Sequence, residues 1–235
     1  MKGFFIRNRV ALGFAAVALA VLLTFAVCFF ALARTAAEAH RLTVVIDAGH
    51  GGIDGGVTGV KTGMAESDIN LAVSRYLGQE LEEAGFQVVQ TRLTEAGLYG
   101  TAAPGYKKRD MQKRAEIIAS AAPALVISVH QNFFSSSARR GGQVFFRAGS
   151  ERSQALACMI QDSLNGMEEC VKKSSPLAGD YFILNCSDYP SVIVEGGFLS
   201  NAQDEALLVT RGYQKKLAAA IARGALAFLA SAASG

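Results

Sequence analysis

The feature that most constrains the fold is a repeated alternation between short apolar runs and longer segments of helical period. Six short runs are predicted to be strands, at residues 43–47, 86–91, 125–129, 143–147, 181–185 and 191–195. Four amphipathic segments are predicted to be helices, at residues 66–84, 109–121, 150–164 and 213–229. This alternation predicts an α/β fold with a mostly parallel, twisted sheet and helices on both faces.

A separate apolar segment precedes this pattern. Residues 10–33 form a run of 24 residues without a charge, long enough at ~1.5 Å per residue to span the ~30 Å core of a bilayer. Because Lys2, Arg7 and Arg9 precede the run, the positive-inside rule predicts a cytoplasmic flank at 1–9, one transmembrane helix or signal anchor at 10–33 and a linker at 34–41. The domain at 42–232 is then outside the cytoplasm, anchored to the membrane. Cleavage of the segment as a signal peptide, which would release a secreted domain, is the alternative.

The charge and the cysteines exclude several classes of protein. Residues 1–40 contain four Lys or Arg and one acidic residue, so they carry the whole formal charge of +3, and the rest of the chain is balanced. A balanced domain does not indicate nucleic acid as a partner. The four cysteines lack CxxC spacing and predict buried, inert thiols rather than a zinc knuckle or a disulfide scaffold.

Two histidines and two glutamates stand where the predicted elements begin or end. His50 follows the first strand in Asp-Ala-Gly-His-Gly-Gly, His130 follows the third in Ser-Val-His-Gln-Asn, and Glu195 closes the last in Val-Glu-Gly-Gly-Phe-Leu-Ser-Asn. Glu66 opens the first predicted helix on its inward face. Because ligands bind beyond the carboxyl ends of parallel strands, these four side chains are expected at one edge of the sheet.

Three of the four residues also have a simpler interpretation. The glycines around His50 fit neither a dinucleotide fingerprint nor a P-loop, and they suit a plain turn as well as a bend around an ion. His130 alone fits a core histidine, and Glu66 alone fits an acid at a helix N-terminus. Glu195 is harder to explain structurally, because a carboxylate in a buried strand needs a metal, a partner or a proton-transfer role. Two histidines and one carboxylate are a common ligand set for catalytic zinc.

Together the four motifs resemble those of the zinc-dependent N-acetylmuramoyl-L-alanine amidases, over roughly residues 42–232. The resemblance implies that His50, Glu66 and His130 hold one Zn²⁺ per chain and that Glu195 is the catalytic acid/base. The chain departs from the family pattern at Ala48, where Pro is frequent, and at Phe133, where a small residue is usual. Neither change removes a functional atom, but Phe133 alters the local shape of the cleft.

The resemblance also implies the reaction and the partners. The enzyme would hydrolyse the amide between the lactyl group of muramic acid and L-alanine in peptidoglycan. This chain is short and has one predicted membrane segment, and in this architecture it resembles the germination-specific members of the family from endospore formers. That resemblance implies a role in the spore cortex, where removal of the peptide stem precedes muramic δ-lactam formation. The resemblance also allows an accessory activating protein as a partner. The alternatives are another zinc peptidase acting on the peptide stem and a non-catalytic wall-binding or regulatory module.

Overall fold

The computed structural model describes residues 22–27 and 41–232. Residues 22–27 are helical, and the rest of the predicted membrane segment 10–33 lies outside the described residues, as do residues 1–9 and nearly all of the linker. Among the described residues, no helix has both the length and the apolar character needed to cross a bilayer. Contacts divide the chain into two units, and the predicted site lies within the second, Leu42–Gly235.

Strands and helices alternate along the described part of this second unit. The strands are β1 (Thr43–Ala48), β2 (Gln87–Gln90), β3 (Leu125–Asn132), β4 (Gln143–Arg147), β5 (Leu177–Gly179) and β6 (Ser191–Phe198). The helices are α1 (Glu66–Glu83), α2 (Tyr106–Ala121), α3 (Glu151–Asn165), α4 (Phe182–Asn185), α5 (Ala202–Leu208) and α6 (Arg211–Ala232).

The six strands form one sheet in the order β2-β1-β3-β6-β4-β5. All neighbouring pairs are parallel except β4 and β6, which are antiparallel. The prediction of a mostly parallel α/β sheet is therefore confirmed. Because β1, β3 and β6 are adjacent and parallel, their carboxyl ends lie side by side, and His130 of β3 is in register with Glu195 of β6.

Helices cover both faces of the sheet, as predicted. The larger core contains side chains of α1, α3 and α6 packed on one face, for example Val73, Ile160 and Ile221. The smaller core on the other face contains Ile118 of α2 and Leu184 of α4. Side chains that alternate along buried strands supply both cores, which explains why these strands are apolar on both faces.

Helix α1 is stable for local reasons that the sequence shows. Glu66 and Asp68 lie in its first turn, where the positive end of the helix dipole favours carboxylates. At the other end, Gly85 adopts a left-handed φ of 94° just after the cap residue Ala84, which terminates the helix. This helix places Glu66 at the carboxyl-end edge of the sheet.

One predicted strand is wrong. Residues 181–185 do not form a strand, because Phe182–Asn185 makes one helical turn that packs Ile183 and Leu184 into the smaller core. The strand of this region is β5, which precedes the predicted one. A short apolar run fits one turn of helix as well as a strand, so its period does not decide between them. Helix α5 was not predicted; Asn201 caps it by accepting hydrogen bonds from the backbone N–H groups of Gln203 and Asp204.

Candidate metal centre and active site

His50 lies in the glycine-rich loop that follows β1. Its backbone has a left-handed φ of 60°, which is uncommon for a residue with a side chain, and Gly51 and Gly52 after it also have positive φ. Its Nε2 lies 3.2 Å from Oε2 of Glu66, and its Nδ1 lies 3.2 Å from Oδ2 of Asp54. The loop therefore directs one ring nitrogen toward Glu66 and the other toward a carboxylate outside the predicted ligand set.

His130 and Glu66 complete a group of three possible ligands. Nδ1 of His130 lies 2.9 Å from Oε1 of Glu66, and the rings of His50 and His130 meet edge to face with centroids 5.0 Å apart. One donor atom from each of the three residues lies within 4.8 Å of the others. The structure thus brings together the three residues that the sequence predicts as metal ligands.

Two glycines leave the space that this group needs. A Cβ at Gly49 would overlap the imidazole of His130, and a Cβ at Gly56 would overlap the carboxylate of Glu66. Gly56 also has a φ of 71°, which disfavours other residues. These contacts explain why glycines surround the histidine in this loop.

Glu66 is buried and has many partners. Its Oε1 accepts hydrogen bonds from the side chain of Asn70 and from the backbone N–H of Gln131, and its Oε2 accepts one from the backbone N–H of Val57. Burial opposes its ionisation, but hydrogen bonds and charge from His130 and His50 hold its pKa well below the usual value. Burial likewise opposes protonation of His50, whose pKa is nevertheless raised by Glu66. Glu66 is therefore a carboxylate that stays ionised at neutral pH.

The donor set fits a zinc ion. Two imidazole nitrogens and one carboxylate oxygen converge, and a catalytic zinc site typically uses three such ligands and an open fourth position. Carboxylate contact with the second ring nitrogen of a histidine is also common around metal ligands, and Asp54 supplies it to His50.

Glu195 differs from Glu66 although it lies on the strand next to His130. Its side chain as a whole is half-buried, but Oε2 is buried and has no hydrogen-bond partner in the part of the chain that the structure describes. Burial raises its pKa to about 7, and the charge of Glu66 acts in the same direction while His130 and His50 act against it. A carboxyl group with a pKa near 7 can both accept and donate a proton at neutral pH.

A cavity of about 220 Å³ opens beside these groups. Its lining includes His50, His130 and Glu195, so two of the three candidate ligands and the candidate acid/base face the same space. Tyr99 of the loop between β2 and α2 also lines it, together with apolar side chains of α2 and α4. Phe133, where the chain departs from the family pattern, is 46% exposed and does not line this cavity.

A buried ionic network beneath the His50 loop was missed by the sequence analysis. Asp47 accepts hydrogen bonds from Thr91, Ser128 and Arg114, and although burial opposes its ionisation, Arg114 and these hydroxyls lower its pKa to about 2. Arg114 lies four residues before Ile118, on the buried side of α2. A charged residue within an apolar helix stripe is the signal that could have revealed it.

The described cysteines have no role in this arrangement. Cys158, Cys170 and Cys186 are free thiols, as predicted, but each is half-buried rather than buried.

Comparison with known proteins identifies the family. A family model described as N-acetylmuramoyl-L-alanine amidase matches residues 44–227. This chain belongs to that family. The amidase is 33% identical over 189 residues to the germination-specific N-acetylmuramoyl-L-alanine amidase of Bacillus subtilis (strain 168), a match that covers 79% of this chain and 78% of the relative.

Solved structures resemble the amidase over the same region. The CwlD amidase from Clostridioides difficile, solved in complex with the GerS lipoprotein, has a TM-score of 0.78 and 32% identity, covering 81% of this chain and 100% of that chain. An N-acetylmuramoyl-L-alanine amidase from Clostridium difficile 630 has a TM-score of 0.73 and 25% identity, covering 81% and 98%. The resemblance predicted from the four motifs is confirmed, and so is the hydrolase activity. The roles of the individual residues stay predictions.

Proposed function

We propose that the amidase is zinc-dependent, with His50, Glu66 and His130 holding one Zn²⁺ and Glu195 transferring protons. The observation that carries this proposal is the convergence of three ligand atoms within 4.8 Å at a sheet edge where Glu195 lines the same cavity. The two glutamates have opposite environments, which suits one to a fixed negative charge and the other to proton transfer.

The chemistry follows from these environments. An unactivated amide is a poor electrophile and neutral water is a poor nucleophile. Zn²⁺ held by His50, Glu66 and His130 would supply Lewis-acid chemistry that makes the scissile carbonyl a better electrophile and water a better nucleophile near neutral pH. Glu195 takes the proton from the attacking water and then delivers a proton to the leaving amine. The products are the lactyl carboxylate of the glycan and a peptide stem with a free L-alanine amino group.

We extend the proposal to the biological setting of the reaction. The similarity to a germination-specific amidase supports action on spore cortex peptidoglycan, where loss of the stem leaves muramic acid ready for δ-lactam formation. The structure of the Clostridioides difficile relative in complex with a lipoprotein supports an accessory lipoprotein as a partner. The apolar run 10–33 and its basic flank support an exported domain that stays at the membrane.

The test of the catalytic proposal is a digestion of purified peptidoglycan, followed by mass analysis of both products. We expect intact stems with a free L-alanine amino group and glycan strands without stems, and we expect chelation to abolish their release and zinc to restore it. Shortened stems still attached to the glycan would contradict the proposal, and so would full activity after complete removal of metal.

The setting is tested separately in cells. Deletion of the gene is expected to remove muramic δ-lactam from the spore cortex, and fractionation is expected to find the protein in membranes with its domain accessible to external protease. A soluble form beginning near residue 34 or 40 would instead support signal cleavage.

A further inference from the structure

The backbone of His50 has a conformation that it does not favour by itself. A residue with a Cβ rarely adopts a φ of 60°, yet His50 does so within a loop whose neighbouring glycines are flexible in the unfolded chain. In this conformation Nε2 lies 3.2 Å from Glu66. Something other than local preference must therefore hold the loop in place.

Backbone hydrogen bonds from Gly49 and Gly51 hold part of the loop, and Arg114 adds side-chain contacts to it. Its Nη2 donates to the backbone carbonyl of His50 at 2.6 Å, and its Nη1 donates to the carbonyl of Ala48 at 2.7 Å. One guanidinium thus binds the loop on both sides of Gly49. The side chain is 2% exposed, so water does not compete for these carbonyls.

Two carboxylates fix the guanidinium itself. Nη1 of Arg114 lies 2.6 Å from Oδ1 of Asp47, and its Nε lies 2.6 Å from Oδ2 of Asp110. A planar guanidinium can make all four contacts together, because its five N–H donors have fixed directions. A lysine at this position keeps the charge but has three donors on one nitrogen and cannot reach all four acceptors.

Arg92 holds a different part of the same region. It donates to the carbonyls of Ala48, Gly49 and Ser67, but no hydrogen bond joins it to the carbonyl of His50. Arg92 thus binds the peptide group before the Cα of His50, and within residues 41–232 Arg114 is the side chain that donates to the carbonyl of His50, in the peptide group after it.

We propose that Arg114 is a positioning residue for the metal centre, which maintains the left-handed backbone of His50 so that its imidazole faces Glu66 and His130. The inference rests on the proposed function, in which His50 is a zinc ligand. It adds that the affinity for zinc depends on a guanidinium that touches neither the metal nor the ligand side chains. Removal of groups that orient ligands typically weakens metal binding roughly 10- to 100-fold.

The test compares Arg114→Lys with a variant of equal stability. Ile118 lies one turn further along α2 and is fully buried in the smaller core, so Ile118→Val and Ile118→Ala provide two graded losses of packing. The one whose melting temperature matches that of Arg114→Lys is the control. Zinc affinity is measured by competition with a chelator well below the melting temperatures, and the visible spectrum of the Co²⁺-loaded protein reports the ligand geometry.

We expect Arg114→Lys to bind zinc roughly 10- to 100-fold more weakly than the wild type and to have an altered cobalt spectrum, while the Ile118 control retains both. Equal zinc affinity in Arg114→Lys and its control would overturn the inference. Failure of the wild type to bind zinc would instead contradict the proposed function. If Arg114→Lys does not fold, Asp110→Asn loosens the guanidinium at Nε alone, and wild-type affinity in that variant would also overturn the inference.

Discussion

Two carboxylates flank His130, and their surroundings differ sharply. Glu66, at the start of α1, accepts hydrogen bonds from two backbone N–H groups and from Asn70, and contacts both histidines. Glu195, within β6, has a buried oxygen without a hydrogen-bond partner among the described residues. The pKa of the first is held far below its usual value, whereas the pKa of the second is raised to about 7. Burial opposes ionisation of both, so the hydrogen bonds and charge that Glu66 receives from His130 and His50 account for the difference in pKa.

This difference suits the two residues to the two roles proposed for them. The backbone donors of Glu66 come from Val57 in the loop before α1 and from Gln131 of β3, and both histidines face the same carboxylate. Glu195 lies within β6, and its Oε2 has no such donor among the described residues. The proposed assignment of Glu66 as a ligand and Glu195 as a proton carrier can be tested by substituting the two residues in parallel.

The largest expected effect is on metal binding by Glu66→Ala. Loss of one of three ligands, and of the charge between the two histidines, should weaken zinc affinity by more than about 100-fold and abolish stem release. Zinc content after gel filtration and the dissociation constant measure this. Asp68→Ala is the matched control, because Asp68 lies in the same first turn of α1 but is exposed, and it should keep its zinc. Retention of full zinc by Glu66→Ala would contradict the ligand assignment.

The next effect is on turnover by Glu195→Gln. The amide keeps the shape of the side chain but cannot accept the proton, so stem release should fall by about 10²–10⁴-fold. Zinc content and melting temperature should stay near those of the wild type. Near-normal turnover, or metal loss as severe as in Glu66→Ala, would overturn the division between the two residues.

A third effect is on how the stability of the metal-free protein depends on pH. Because the pKa of Glu195 is raised from 4.5 to about 7 on folding, its protonated form favours the fold at low pH, and that contribution is lost as pH rises from 4.5 to 7. The free energy of unfolding of Glu195→Gln, relative to that of the wild type, should therefore increase by about 1–3 kcal/mol from pH 5 to pH 8.

Glu66→Gln should behave in the opposite way. The lowered pKa of Glu66 contributes stability above its unfolded value of 4.5, and that contribution is lost as pH falls below it, so this variant should be destabilised at pH 7 and less so at acid pH. Denaturant unfolding in the presence of a chelator measures both variants. A shift of the same sign in the two would show that their environments do not differ as described.

The smallest expected effect comes from Asn70, a partner that Glu66 has and Glu195 lacks. Its Nδ2 donates to Oε1 of Glu66 and to the carbonyl of Gly49. Asn70→Ala should weaken zinc affinity about tenfold. Ser74→Ala, one turn later on the same helix and equally buried, should leave it unchanged. Equal affinities in the two variants would show that Asn70 does not orient the ligand.

The parts of the site that depend on short-range sequence pattern could be predicted from the sequence. Strands β1, β3 and β6 begin as apolar runs that lead into the motifs of His50, His130 and Glu195, so the positions of these residues at one edge followed from the rule for parallel strands. Glu66 followed from helical periodicity. The motifs then identified the family because four of them occur in order, although His50, Glu66 and His130 each have a simpler interpretation alone.

Other features depend on partners far away in the chain. The ion pair between Asp47 and Arg114 joins residues 67 positions apart, and no local signal specifies which carboxylate a buried arginine will meet. Strand order is a long-range property as well, so the placement of β6 between β3 and β4 could not be read from alternation alone. The turn Phe182–Asn185 was mispredicted because packing, rather than its period, decides its conformation.

The placement of β6 has a consequence for a cell that synthesises a wall hydrolase. Both sheet neighbours of β6 precede it in the chain, so a ribosome-bound fragment that ends before residue 191 has an open gap between β3 and β4. Such a fragment contains His50, Glu66 and His130 but lacks Glu195. Under the role proposed for Glu195, hydrolytic competence arises only after residue 195 has been translated, and a product truncated before that residue lacks one of the four proposed site residues.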